Sequence, residues 1–155
     1  MRLTQWTDYS LRVLMYSAAC QGREQAVTIR EIAGAHDISY SHVSKVVMTL
    51  AALGYLETTR GRSGGLRLLR PATEIVIGDV VRHTEADFAL VECFDCRLNT
   101  CRLDGRCRLK GVLQCATACF MEALDGVTLA DLVRLEPMGS AAAKDSSARP
   151  SPGIP

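Results

Sequence analysis

The chain has 155 residues, of which 48% are hydrophobic and 23% charged, a length and composition that allow one buried core and exclude a multidomain enzyme or a fully disordered chain. Lysine and arginine number 18 against 17 aspartate and glutamate, so the overall balance gives no sign of a polyanion partner. However, residues 1–70 carry 9 basic and 5 acidic side chains, whereas residues 71–155 carry 9 and 12, and only the first part has the charge expected of a surface that binds nucleic acid.

Three helices and a hairpin are predicted in the first half of the chain. Apolar residues at helical spacing predict a helix over 7–20 with Thr7 as its N-cap, and a capping box at Thr28 and Glu31 opens a short second helix that ends near Gly34. A third helix over 39–53 stops at Gly54 and is expected to bury Val43, Val46, Val47, Leu50 and Leu53. Strand-forming residues over 55–59 and 66–70, with the glycine-rich tip 60–65 between them, then predict a hairpin.

The second half predicts helices around a loop that has no regular period. A short helix is expected over 75–85, a loop over 92–107, a long helix over 108–124 and a brief last helix that begins at Thr128. The fold class is therefore mainly α with a small β-hairpin. We divide the chain into a winged helix-turn-helix domain (1–85), a cysteine-rich loop (86–107), a long dimerisation helix with a terminal helix (108–135) and a disordered tail (136–155).

The order of helix, turn, helix and basic hairpin is typical of a winged helix-turn-helix that binds double-stranded DNA. The third helix would enter the major groove with its polar face, which carries Ser41, His42, Ser44, Lys45 and Thr49. The hairpin adds Arg60, Arg62, Arg67 and Arg70 without an acidic residue among them, a concentration of charge that favours phosphate contacts. A polar helix face that is merely solvated is the competing interpretation for each residue taken singly.

Six of the seven cysteines lie within residues 93–119. No apolar run of about 18 residues or apolar leader is present, so we expect reduced thiols in a cytoplasmic protein without membrane contact. Clustered thiolates bind zinc or iron–sulfur clusters, and the spacing C-x2-C-x4-C-x5-C, from Cys93 through Cys96 and Cys101 to Cys107, leaves both open. Cys20, Cys115 and Cys119 are expected to be small buried hydrophobes without chemistry.

Several segments in one order resemble the Rrf-type winged-helix regulators, and in particular the nitric-oxide-sensing repressors of that family. They are MRLTQWTDYSLRVLMY, LAALGYLETTRGRSGGLRLLRP, IGDVVR, ECFDCRLNTCRLDGRCRLKGVL and TLADLV. The resemblance covers about residues 1–135 and implies a homodimeric repressor that binds a palindromic operator and releases it when its iron–sulfur cluster is nitrosylated.

The resemblance also implies a ligand set. The family's three cluster cysteines match Cys93, Cys101 and Cys107, and a fourth ligand from the other subunit matches Asp8. The implied cofactor is a 4Fe-4S cluster, with 2Fe-2S as the other form. Cys96 departs from the pattern of many relatives and is an alternative ligand, whereas an acid in the first turn of a helix also has a purely structural explanation in the helix dipole.

Other functions remain open at the level of sequence. An iron- or redox-responsive regulator of the same family shares much of the cysteine pattern, but Lys110 stands where the family's iron–sulfur biogenesis regulators have a histidine. A zinc-stabilised DNA-binding module and a thiol switch that forms disulfides are further alternatives. We expect no enzyme, because the sequence offers no paired acid and base, no nucleophile with its base and no phosphate loop.

Overall fold

A computed structural model describes residues 2–59, 61, 64–95, 97, 99–103 and 105–133. The helices are α1 (Gln5–Ala19), α2 (Ile29–His36), α3 (Tyr40–Ala52), α4 (Ile77–Thr84), α5 (Arg108–Asp125) and α6 (Leu129–Val133), with short 3-10 turns at Ala72–Glu74 and Glu92–Phe94. Strands β1 (Leu56–Thr59) and β2 (Gly65–Leu68) form one antiparallel pair. The predicted class, mainly helical with a small hairpin, is confirmed.

The start of α1 corrects one prediction. Thr4, rather than Thr7, is the N-cap, and its hydroxyl accepts a hydrogen bond from the Thr7 backbone amide at 3.3 Å. Thr7 lies within the first turn and is fully buried with Ser10 and Leu14 on the core side of the helix. Thr4 and Thr7 are both suitable N-cap residues. Only the burial of Thr7 in the core shows that Thr4 is the cap.

The ends of α2 and α3 differ slightly from those expected. α2 continues through Gly34 to His36, because the reversal falls on Asp37, which adopts left-handed dihedral angles of φ 52° and ψ 45°. Aspartate is one of the few residues other than glycine that tolerate this conformation. In α3 the predicted core valines and Leu50 are buried, whereas Leu53 is half-buried and serves as the C-cap.

The wing consists of β1, β2 and the tip 60–64 between them, of which residues 60, 62 and 63 lie outside the described residues. Leu56 pairs with Leu68, and Thr59 pairs with Gly65, so β2 begins and ends earlier than the predicted 66–70. The Leu66 amide also donates to the Val27 carbonyl at 2.8 Å. The wing is therefore joined to the segment that precedes α2.

The core lies between α1, α2, α3, the wing, α4 and α6. Its largest buried side chains are Leu14, Ile32, Leu50, Tyr55, Leu56, Leu66, Ile75 and Leu129. From residue 85 to residue 128, no residue that the structure describes is fully buried. The cysteine loop (86–107) and α5 therefore lie against a core that is complete without them.

The C-terminal part returns to this core through backbone pairing. The Ile77 amide donates to the Val127 carbonyl at 2.9 Å, and the Leu129 amide donates to the Ile75 carbonyl at 2.8 Å. Thr128 caps α6 as predicted, since its hydroxyl accepts a hydrogen bond from the Asp131 amide at 3.4 Å and its own amide donates to the Asp131 carboxylate at 2.9 Å. The predicted tail, 136–155, lies outside the described residues.

Candidate DNA-binding surface and cysteine loop

The turn between α2 and α3 fixes the angle of the helix expected to enter the major groove. Ile38, in the middle of the turn, is buried with only 7% of its surface exposed. Ser39 caps α3 by accepting a hydrogen bond from the His42 amide. An apolar anchor and a cap thus hold α3 at its first turn, where base-reading side chains are concentrated in this motif.

The predicted reading residues of α3 are not equally accessible. Ser41, His42 and Lys45 are exposed, whereas Ser44 and Thr49 are half-buried. The His42 ring also lies 6.2 Å from the ring of Tyr9 in α1. The outer face of α3 is therefore in contact with the first turns of α1.

Two exposed residues of α3 are absent from the sequence prediction. Tyr40 is 56% exposed and Met48 is 71% exposed. Both lie within one turn of predicted reading residues, and apolar side chains on such a helix can contact the methyl group of thymine. The signal available in the sequence was the position of both residues within one turn of Ser44 on the same helix.

The wing arginines divide into two groups. Arg60 and Arg62 lie outside the described residues. Arg67 is exposed, yet its guanidinium donates to the carbonyls of Arg23 at 3.2 Å and Glu24 at 2.7 Å. Its charge is thus partly satisfied within the chain, and it braces the wing against the α1–α2 connection.

Arg70 is similarly engaged at the base of the wing. Its guanidinium carbon lies 4.9 Å from the centre of the Tyr55 ring, and its Nε donates to the Gly54 carbonyl at 3.3 Å. Arg67 and Arg70 are thus held by neutral groups, and neither forms an ion pair with an acidic side chain among the described residues.

A cleft of about 500 Å³ separates α2, α3 and the wing. Arg30, Tyr40, Thr58 and Gly64 line it together with the Thr28 cap. Arg30 is exposed and forms no ion pair with any residue that the structure describes. Its guanidinium is thus available to an anion in the cleft, although the sequence prediction did not include it.

The cysteine loop holds its thiols at three separate points. Cys93 lies in the 3-10 turn Glu92–Phe94, Cys101 follows a turn in which its amide donates to Asn99 at 3.0 Å, and Cys107 is the N-cap of α5. All three are half-buried. Cys96 lies outside the described residues.

Within the described part of the chain, no three cysteine, histidine or acidic side chains gather closely enough to hold a metal ion. The loop therefore places the predicted cysteines in one segment of the chain, but the described sulfurs do not converge on one position. Their chemistry nevertheless fits a soft metal centre, because cysteine sulfur is a soft ligand for iron and zinc and the three side chains are only half-buried.

Asp8 lies in the first turn of α1. Its carboxylate forms an ion pair with Arg12, with 2.9 Å between Oδ2 and Nη2, and both side chains are 45% exposed. Arg12 Nε also donates to Oδ1 at 3.1 Å. The hydrogen bond to this carboxylate raises the pKa of the Arg12 guanidinium. Within one protomer both oxygens of Asp8 thus contact a partner on the same helix.

The first turn of α1 is linked to the start of the cysteine loop. The Thr4 amide donates to Glu85 Oε1 at 2.7 Å, and the Thr4 hydroxyl reaches the same oxygen at 3.2 Å. Glu85 lies between the end of α4 and the cysteine loop. A movement of the loop would therefore shift the N-terminus of α1 through these two hydrogen bonds.

The other thiols correct the expectation of buried cysteines. Cys20 is half-buried and accepts a hydrogen bond from the Arg23 guanidinium at 3.2 Å, while Cys115 and Cys119 are exposed on α5. α5 has no fully buried residue, and Leu109 and Val112 are 60% and 64% exposed.

The fold and this surface are those of a winged helix-turn-helix protein. A family model described as "Rrf2: Iron-dependent Transcriptional regulator" matches residues 3–135. The chain belongs to the Rrf2 family, and as a member of it the protein is a DNA-binding transcription regulator and not an enzyme.

Relatives with known names agree with this assignment. The chain is 48% identical over 134 residues to the HTH-type transcriptional regulator NsrR of Bacillus subtilis, covering 86% of this chain and 91% of that one. It is 47% identical over 133 residues to NsrR of Shouchella clausii, covering 86% and 89% of the two chains.

Solved structures support the fold. A transcriptional regulator of Listeria innocua superposes with a TM-score of 0.74 at 21% identity, covering 97% of both chains. The oxidised form of CymR from Staphylococcus aureus gives a TM-score of 0.68 at 23% identity, covering 86% of this chain and 97% of that one. No helix in the described part of the chain is long and apolar enough to span a membrane.

Proposed function

We propose that the chain is a cytoplasmic, homodimeric repressor that binds a palindromic operator and releases it in response to nitric oxide. The observation that carries the proposal is the position of Cys93, Cys101 and Cys107. These three half-buried thiols lie between the last helix of the DNA-binding domain and α5, in a segment of which no described residue is fully buried. Identities of 47% and 48% to proteins named NsrR support the same function.

In this proposal the three cysteines hold an iron–sulfur cluster, and Asp8 of a second copy supplies the remaining ligand. A 4Fe-4S cluster is the form we favour over 2Fe-2S, and Cys96 is the alternative to Cys93. When bound, the cluster supplies an iron with one hard, weakly held oxygen ligand, at which nitric oxide can react. The Asp8 side chain is 45% exposed, and its carboxylate would exchange a contact with Arg12 for the iron of the other subunit.

Contacts within the chain support a route from this centre to DNA. Asp8 is followed by Tyr9, whose ring contacts His42 on the reading face of α3. The N-cap of the same helix, Thr4, is hydrogen-bonded to Glu85 at the start of the cysteine loop. In the proposal, a change at the loop or at Asp8 reaches α3 through α1, and α1 is the element that takes different positions in the DNA-bound and released states.

The exposed apolar residues of α5 support the dimer. Leu109 and Val112 are both more than half exposed, and a second copy of α5 would bury them. A two-fold dimer places two α3 helices on half-sites about one DNA turn apart. We therefore expect a palindromic operator.

The test is anaerobic purification, iron and sulfide analysis, and operator binding by fluorescence anisotropy before and after stoichiometric nitric oxide. We expect the native protein to contain iron and sulfide and to lose operator affinity after nitric oxide. Cys93→Ser, Cys101→Ser and Cys107→Ser each lose the cluster, whereas the matched control Cys20→Ser keeps it. Asp8→Asn keeps its helical position but loses the nitric oxide response.

Other outcomes would replace the proposal. A colourless protein with stoichiometric zinc would identify a zinc-stabilised module, and operator binding that follows peroxide in a metal-free protein would identify a thiol switch. The family description "Iron-dependent" favours iron as the second candidate signal. Operator release on iron chelation without any effect of nitric oxide would establish that function instead.

A further inference from the structure

The cleft between α2, α3 and the wing carries polar groups that the fold does not use. Arg30, Tyr40, Thr58 and Thr59 line it, and all four side chains are exposed. None of these side chains forms a hydrogen bond or an ion pair with any residue that the structure describes. The cleft therefore presents one guanidinium and three hydroxyls to solvent.

Negative charge is absent from the described lining of the cleft, which contains no aspartate or glutamate. Glu31, the neighbour of Arg30 in α2, is instead engaged by Arg23 at 2.7 Å and by the Tyr16 hydroxyl at 3.0 Å. The charge of Arg30 is thus uncompensated within the described chain, and hydroxyl donors line the same cleft. Guanidinium and hydroxyl groups are the side-chain groups with which proteins commonly bind phosphate oxygens.

The position of the cleft relative to α3 indicates which phosphate it would meet. Tyr40 faces the cleft on one flank of α3, whereas His42 lies toward α1, where its ring is 6.2 Å from that of Tyr9. Ser41 and Lys45 are exposed between these flanks. A helix in the major groove has a sugar–phosphate strand along each side, because these strands form the edges of the groove. One of the two strands therefore runs over the cleft.

We propose that the cleft is a binding site for a phosphate of the DNA backbone, with Arg30 as its cation and the hydroxyls of Tyr40 and Thr58 as further donors. The contacts do not depend on base sequence, because they reach only phosphate oxygens. They supply positive charge beside a wing in which Arg67 and Arg70 are held by neutral groups of the chain.

The phosphate site is separate from the proposed sensing region. The described lining of the cleft contains no residue of α5 or of the cysteine loop, so the proposed dimer does not cover it. The inference rests on the DNA binding of the Rrf2 family and not on a response to nitric oxide.

The test compares Arg30→Gln and Arg30→Lys with the native full chain, all purified anaerobically. Fluorescence anisotropy at several salt concentrations measures the affinity for an unrelated duplex and for the operator that the native protein selects from a random duplex library. Arg30→Gln should bind both duplexes on the order of tenfold more weakly and should reduce the slope of log affinity against log salt by about 1, because one phosphate contact is lost. Arg30→Lys keeps the charge and should keep the slope.

Operator duplexes in which one phosphate at a time is a neutral methylphosphonate locate the site. The native protein should lose affinity at one phosphate in each half-site, whereas Arg30→Gln should be insensitive to the same replacement. Tyr40→Phe and Thr58→Val each remove one hydroxyl and should weaken binding by a few-fold. Melting temperatures equal to that of the native protein exclude a folding effect of these variants.

Three results would overturn the phosphate site. In the first, Arg30→Gln keeps the native salt slope on both duplexes. In the second, no single methylphosphonate distinguishes this variant from the native protein. In the third, the loss is confined to the operator, which assigns Arg30 to base reading instead. Operator binding without a response to nitric oxide would contradict the proposed function and leave this inference standing.

Discussion

Glu31 is the residue at which the end of α1 is joined to the start of α2. Its Oε1 accepts hydrogen bonds from Arg23 at 2.7 Å and from the Tyr16 hydroxyl at 3.0 Å. Its Oε2 lies 3.5 Å from the Thr28 amide and completes the capping box. The hydrogen bond from Arg23 is the main cause that lowers the pKa of the Glu31 carboxyl. One carboxylate thus stabilises both a helix start and a contact between helices.

Replacing Glu31 with glutamine should make stability less dependent on pH. Because the folded pKa of Glu31 lies below its ordinary value of 4.5, the stabilisation is fully present above pH 4.5 and is lost as pH falls through the folded pKa. Glu31→Gln keeps a capping side chain but loses the charge. We expect it to be less stable than the native chain at pH 7, with the difference shrinking under acid.

Urea unfolding followed by circular dichroism at several pH values measures this difference. Glu57→Gln is the matched control, since Glu57 is an exposed residue of β1 with no resolved ion pair among the described residues. A gap between native and Glu31→Gln protein that stays constant from pH 7 to pH 3 would contradict the assigned role.

The structural roles of some residues could be predicted from the sequence, and those of others could not. The capping box at Thr28 was predictable because both of its members are specified by local chemistry. Thr4 and Thr7 are equally good caps locally, so only tertiary burial separates them. Arg67 looked like a phosphate ligand because the carbonyls that it contacts, Arg23 and Glu24, are distant in sequence.

At the scale of elements, the wing depends on a glycine that lies against another segment. A side-chain carbon at Gly65 would come within 2.5 Å of the Val27 carbonyl oxygen and 2.7 Å of the Ala26 side chain. The same strand donates the backbone bond from Leu66 to Val27. The absence of a side chain at position 65 is therefore what lets β2 pack onto the segment before α2.

Gly65→Ala should destabilise the protein by about 1–3 kcal/mol, because backbone atoms must move to relieve the overlap. Gly34→Ala is the matched control, since that glycine lies inside α2 with open space around it, and alanine there should stabilise the helix by about 1 kcal/mol. Urea unfolding of both variants measures the two effects. Equal effects of the same sign would show that the wing is not seated on Val27 in this way.

Elements were more predictable than their ends and their contacts. Helical periodicity was strong enough to locate all three helices of the first half and the long α5. The helix ends depend on single residues, as Asp37 shows, because aspartate in the left-handed conformation is less common than glycine. The apolar stripe of α5 does not by itself predict whether the helix is buried or exposed. Its exposure is explained by the core of the structure, which is complete without α5.

For the whole molecule, one joint ties the end of α5 to the DNA-binding domain beside the backbone bond from Ile77 to Val127. Arg82 in α4 donates to both carboxylate oxygens of Asp125 at the end of α5, at 2.7 and 2.6 Å, which lowers the pKa of Asp125. Gly78 leaves room for this pair, because a side chain there would overlap the Asp125 carboxylate. The joint connects the proposed dimer helix to the domain that carries α3.

Asp125→Asn should therefore affect the dimer on DNA more than the fold of each subunit. We expect a several-fold loss of affinity for a palindromic site, with a much smaller loss for an isolated half-site, because the spacing of the two α3 helices becomes less well defined. Anisotropy with both DNA lengths measures the difference, and the melting temperature serves as the folding control. Equal losses on both DNAs would assign Asp125 to the subunit's own stability.

The ligand geometry is the part that neither sequence nor a single chain determines. The resemblance implies Cys93, Cys101 and Cys107 as ligands, with Cys96 as the alternative to Cys93, but the loop has no regular period that fixes where their sulfurs lie. Asp8 matches the family pattern at one position only, and its contact within the chain is with Arg12. A site completed by another copy leaves no signal in the local sequence of either partner.

The segment from residue 85 to residue 128, whose described part buries no residue fully, also bears on how such regulators diversify. Substitutions in the cysteine loop (86–107) should therefore cost the DNA-binding domain little stability. The number and spacing of the cysteines can then change during evolution while operator recognition is kept. A chimera that receives residues 86–107 from a relative with another stimulus should keep its promoter choice and adopt the donor's inducer.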